Sequence, residues 1–211
     1  MSTIKTNQLA HTANGAATYT LPQTDGSAGQ VLKTDGSGNL SWVTPGTSMI
    51  DTYNLSSSVN MTGAQWNYLK TNFSRVDGAY GTMNVTGLGT GLGTTTNTAA
   101  KNFTFPSTGY YEIKFTATTA ATTSTSHDYV YTAIHIAKDG STFDNTVQSI
   151  SFIYSSSNTV YETQTAQVII DVTNTSNDKF YLAVMPENTS QLLGSSDKFY
   201  TYLQVKKLAE T

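Results

Sequence analysis

At 211 residues without a cysteine, the chain can hold one sizeable domain plus an appendage, and disulfides, thiolate zinc sites and cysteine nucleophiles are excluded. Charged residues make up only 12% of it, the formal net charge is −3, and no basic run precedes Lys206-Lys207, so an electrostatic footprint for nucleic acid is excluded. Aromatics reach 11%, including 13 Tyr, which argues against disorder and, beside the Ser, Thr, Asn and Gly content, for β-strands with hydroxyl-rich outer faces.

Residues 1 to about 20 are polar, with Ile4, Leu9 and Tyr19 scattered without helical period, and read as an extended arm. The opening MSTIKTNQLAHTANG has no apolar h-region, so no secretory signal is expected, and no apolar run reaches membrane-span length. From Leu21 to Val43 the tetrapeptide Thr-Asp-Gly-Ser occurs twice, at 24–27 and 34–37. Asp-Gly readily takes the positive backbone angles of a tight turn, so Val31-Leu32 and Leu40-Ser41-Trp42-Val43 are predicted strands of a small meander. Asp35-Gly36-Ser37-Gly38-Asn39 starts like a calcium loop, yet Gly46 stands where the twelfth-position acid is required, and the segment is read as a turn. Thr44-Pro45-Gly46-Thr47 stops any element and sets the boundary between an arm, 1–46, and a domain, 47–211.

Within that domain, Thr62-Gly63-Ala64-Gln65 has the form of a capping box, and Trp66, Leu69 and Phe73 follow on one helical face, so a short helix is predicted over 63–72. Gly87-Leu88-Gly89-Thr90-Gly91-Leu92-Gly93 lacks the preceding strand, following helix and Lys-Ser/Thr of a phosphate loop and is read as a connection. From Lys101 on the pattern is β. Tyr111, Ile113, Phe115 and Ala117 alternate with polar neighbours; further strands are predicted at 128–137, 149–154, 161–172, 179–184 and 198–208, bounded by turn residues. Such a run of strands is an all-β sandwich, its main body at 100–208. Ser126-His127-Asp128 has triad residue types, but strand neighbours point to opposite faces; His135 is read as packed, and no carboxylate cluster marks a glycosidase pair. No catalytic residue, metal site or cofactor is expected.

Two resemblances sharpen this. LPQTDGSAGQVLKTDGSGNLSW resembles a stretch near the start of structural proteins of tailed phages, especially marine and cyanobacterial ones. Phe103-Thr104-Phe105-Pro106-Ser107-Thr108-Gly109-Tyr110-Tyr111-Glu112-Ile113, Ile136-Ala137-Lys138-Asp139-Gly140, Asn177-Asp178-Lys179-Phe180-Tyr181-Leu182 and Phe199-Tyr200-Thr201-Tyr202-Leu203 resemble, in order and spacing, the strands of the C1q and tumour-necrosis-factor jelly rolls. Asn177 stands where that family has Gly, and Thr201 or Tyr202 where a small residue is common. The resemblance implies a jelly-roll β-sandwich that assembles as a trimer around aromatic residues.

Strand alternation independently puts much tyrosine outside the core, and exposed aromatics mark interfaces. Tyr110, Tyr129, Tyr131, His135, Tyr200 and Tyr202 are the candidate trimer-interface residues. Ile4, Leu9, Leu21, Val31, Leu32, Leu40 and Trp42 are the candidate attachment residues of the arm. The expectation is a non-enzymatic homotrimeric fibre or knob on the virion surface, its arm bound to other tail or capsid proteins and its head meeting a host glycan or protein. A trimeric capsid decoration protein and, in another class, a lectin or glycan-active enzyme are the alternatives.

Overall fold

Alternation along Gly109–Ala121 sets the frame of the fold: Tyr111, Ile113 and Phe115 are wholly buried, whereas Tyr110 is exposed and Glu112 and Lys114 are half-buried. The structure is a computed structural model that describes residues 6–10, 18–43, 45–80, 83–96, 100–121, 127–154 and 159–210. The chain divides into two units, residues 1–46 and 47–211.

In the small unit β1 (Gln8–Ala10) pairs with β2 (Thr18–Thr20), and β3 (Val31–Thr34) with β4 (Leu40–Val43), both antiparallel. The hairpins are tied where Thr20 N–H donates to the Gly38 carbonyl at 2.7 Å, and the first is extended by Leu21 N–H donating to that of Asn7 at 2.9 Å. None of this unit's described residues is buried.

The large unit runs β5 (Met49–Leu55), β6 (Val59–Met61), β7 (Asn67–Tyr68), β8 (Phe73–Arg75), β9 (Gly78–Tyr80), β10 (Met83–Val85), β11 (Gly93–Thr96) and β12 (Lys101–Thr104). The long strands follow: β13 (Gly109–Ala121), β14 (His127–Ala137), β15 (Asn145–Ile153), β16 (Val160–Val172) and β17 (Lys179–Pro186), then β18 (Ser190–Leu192) and β19 (Tyr202–Ala209). The first sheet has the order β6-β18-β13-β19-β5-β8, with β16 on the other edge of β13; the second has β11-β12-β17-β14-β15, with β7 added to β17. Facing side chains of the two sheets fill one core, in which Phe103 stacks on Phe180 at 4.9 Å and stands edge-on to Tyr53 at 5.1 Å. The molecule is an all-β jelly-roll sandwich.

The predicted helix at 63–72 is not formed. Its backbone hydrogen bonds go sideways: Ala64 N–H donates to Pro186 O and Leu69 N–H to Leu182 O, and Asn67-Tyr68 pairs with Val184-Ala183. Asn67 closes the turn by accepting from Thr62 N–H and donating to the Thr62 and Gln65 carbonyls, all at 2.9 Å. Ala64 and Asn72 take positive φ (55° and 57°), which no right-handed helix allows, and a Cβ on Gly63 would stand 2.7 Å from the Asn188 backbone. The final strand also starts later than predicted, at Tyr202. Phe199 is drawn off the strand line by Tyr80, whose ring lies 4.4 Å away and whose hydroxyl donates to the Ser195 and Lys198 carbonyls.

Candidate assembly surfaces

Side chains leaving the first sheet on its outward side form a hydroxyl-rich floor. Thr116 meets Thr165 and Thr118 meets Thr163, each pair at 2.9 Å between hydroxyl oxygens, and Thr118 donates to the Tyr200 carbonyl at 2.8 Å. Above that floor a hollow of about 780 Å³ is walled by Tyr161, Leu193, Phe199, Tyr200 and Tyr202. Lower on the same face Glu112 accepts from Gln167 at 2.7 Å and pairs with Lys206 at 3.4 Å. Tyr110 stands six residues further down β13 than Thr116, the register partner of Tyr202, about 20 Å along the strand. The Lys206-Lys207 run is split by the strand. Lys206 faces out, while Lys207 is buried and donates to Ser107 Oγ at 2.9 Å and to Glu210 at 2.5 Å.

Tyr129, Tyr131 and His135 lie on the outward side of the second sheet instead, with Tyr181 of β17. There the rings form a continuous chain: Tyr129 to Tyr131 at 5.2 Å, Tyr131 to Trp66 at 6.2 Å, Trp66 edge-on to His135 at 4.9 Å, and His135 on Tyr181 at 4.7 Å. His135 Nδ1 shares a hydrogen bond with the Thr146 hydroxyl at 2.9 Å, and burial holds its pKa below the ordinary histidine value. The six candidate interface residues therefore form no single patch; Tyr110, Tyr200 and Tyr202 are on one sheet and the other three on the opposite one. His127, the middle of the triad-like tripeptide, is buried and accepts the Asn188 N–H on Nδ1 at 3.2 Å, while Ser126 lies outside the described residues.

The candidate set lacks the large apolar side chains that β15 and β16 add to these two outward sides. The most exposed large hydrophobics of the described residues are Tyr154 at 79%, Phe152 at 71%, Tyr161 at 61% and Ile169 at 59%; Tyr161 and Ile169 lie on the outward side of the first sheet, opposite Ala120 and Glu112, and Phe152 on that of the second, with Ile150, which stands opposite Tyr131. The period-2 pattern of 161–172 carries the signal, since Tyr161 and Ile169 fall on the polar side of the strand.

In the small unit Leu9, Val31 and Leu32 are exposed and Leu21, Leu40 and Trp42 half-buried; Ile4 lies outside the described residues. The two turns are held from within. Trp42 Nε1–H donates to the Thr24 carbonyl at 2.9 Å, and its ring covers Gly26, where a Cβ would stand 2.6 Å from the indole. Asp35 accepts Ser37 N–H and Asn39 N–H on Oδ1 and the Asn39 side chain on Oδ2, which lowers its pKa and turns its oxygens inward to the loop. The glycine-rich run receives a carboxylate of the protein itself: Leu92 N–H donates to Asp51 Oδ2 at 2.7 Å, and Asp51 is held bidentately by Arg75 at 2.9 Å.

No protein-family model matches the chain, and no curated protein sequence matches it. Among solved structures it is similar to the crystal structure of murine APRIL, with a TM-score of 0.50 and 11% identity over 78% of this chain and 100% of that one. It is also similar to Eiger TNF from S. frugiperda, with a TM-score of 0.48 and 14% identity over 77% of this chain and 93% of that one. At such identities the likeness is one of fold, and the fold of the large unit is a TNF-like jelly roll.

Proposed function

We propose that the chain is a non-enzymatic structural protein of a tailed-phage virion, a short homotrimeric fibre or knob whose arm anchors it and whose jelly roll faces outward to a host-surface glycan or protein. The observation that carries this reading is the pairing of an apolar patch on one outward side with a hollowed face on the other. Ile150 and Phe152 stand out on the outward side of the second sheet, and the outward face of β13 and β19 offers the hollow, with Tyr161 in its wall. Patch and hollow lie on different sheets, so copies joined through them meet head to tail, and a rotation that closes gives a ring. The C1q/TNF resemblance supports three as the number. The TDGS segment supports the virion setting, and the engagement of His127 and His135 in packing supports a protein without catalysis.

Light scattering coupled to size exclusion is expected to give three chains of 22.7 kDa, and Phe152→Ser/Tyr161→Ser to give one. A wild-type monomer would overturn the proposal. A trimeric capsid decoration protein, with the same trimer bridging capsomers, is the second reading. Imaging labelled particles separates the two by position on head lattice or tail. Release of reducing sugar from a glycan, lost on mutating one acid pair, would replace both with an enzyme.

A further inference from the structure

We infer that the small unit has no core of its own and obtains one from two further copies of this chain, so that residues 18–43 become ordered only on assembly. The inference rests on the homotrimer reading. Turn chemistry in this unit is complete, as the bonds of Trp42, Asp35 and Gly38 record. Burial is missing: four strands are formed, yet no described residue from 6 to 46 is buried, and Leu9, Tyr19, Val31 and Leu32 are 40–51% exposed. Two-stranded hairpins without a covered apolar face are marginal in water.

The β3–β4 hairpin is apolar on both sides. Leu32 stands opposite Trp42 on one face, and Val31 opposite Val43 on the other. A single flat partner would leave one of those faces wet, whereas a hairpin stacked among its own copies has both covered. Charge does not oppose such stacking, because Lys33 is the one charged side chain on the described strands of this unit. Connectivity supplies the copies. The unit joins β5 through residues 46–48, and β5 pairs with β19 of the sheet whose outward side carries the hollow. Three arms leaving one assembly on short links are at an effective concentration of about millimolar.

The test uses the full chain. In Trp66→Phe, Trp42 is the sole tryptophan, and its emission reports the arm while amide exchange reads β3–β4 and β13–β19 separately. The trimer is expected to show blue-shifted Trp42 emission and protected β3–β4 amides. Dilution to monomer, or Phe152→Ser/Tyr161→Ser, is expected to red-shift the emission and cut that protection by about 100-fold, with β13–β19 still protected. Val31→Asp/Leu32→Asp is expected to free the arm while the head still trimerises. Arms equally protected in the monomer, or freely exchanging in a formed trimer, overturn this inference alone. A chain that never trimerises overturns the assembly reading and this inference together.

Discussion

Asp51 shows why single residues of the fold hid in the sequence. In Met49-Ile50-Asp51-Thr52-Tyr53-Asn54-Leu55 the polar residues Asp51, Thr52 and Asn54 are as buried as their apolar neighbours, so no alternation announces the strand. Asp51 and Asn54 are buried because each ties in neighbouring segments: Asp51 holds Arg75 and Leu92, and Asn54 donates to Tyr80 and Ser195. His127 and His135 carry a testable consequence of burial. Both have pKa values lowered by desolvation, opposed at His127 by the weaker pull of Glu187. The unfolded chain then takes up protons near pH 6.5 while the fold resists them, so the stability they supply is complete above pH 6.5 and is lost as pH falls through the lower folded values. Thermal scans from pH 8 to 5 are expected to show a falling midpoint, and His127→Gln/His135→Gln to flatten that slope.

At the scale of elements, strands with clean alternation were legible and short segments serving a neighbour were not. Tyr111, Ile113, Phe115 and Val130, Ile134 alternate because one side of each strand is core. Trp66, Leu69 and Phe73 have helical spacing for another reason: Trp66 is the middle link of the ring chain on the second sheet, while Leu69 reaches into the core just after β7 and Phe73 from the start of β8. Spacing alone cannot tell these cases apart; the side-chain bonds of Asn67 decide it. Asn67→Ala removes the links to Thr62, Gln65 and Val184 and is expected to cost about 1–3 kcal/mol in urea unfolding. A change below about 0.5 kcal/mol would mean that β7 is held by Ala64, Leu69 and its pairing with β17 alone.

For the whole molecule, alternation tells which face of a strand is outward but not which sheet the strand joins. That is why Tyr110 and Tyr131 read alike from their neighbours and yet lie on opposite sheets. The β15–β16 edge escaped for a related reason: an apolar residue on the polar side of a strand is noticed only once the sheet's outer side is known. One part of that edge has a further bearing. β16 is paired with β13 along all of its 13 residues, more than twice a usual strand, and among the described residues its other side has no strand partner. Its unpaired amides and carbonyls can template a neighbour's strand, and it contains no proline to interrupt that growth. Assembly thus competes with aggregation for the same chains. Phe152→Ser/Tyr161→Ser, stripped of its neighbours, is expected to form thioflavin-positive material faster than the wild type at equal concentration, so solubility itself becomes a gauge of how quickly subunits find each other.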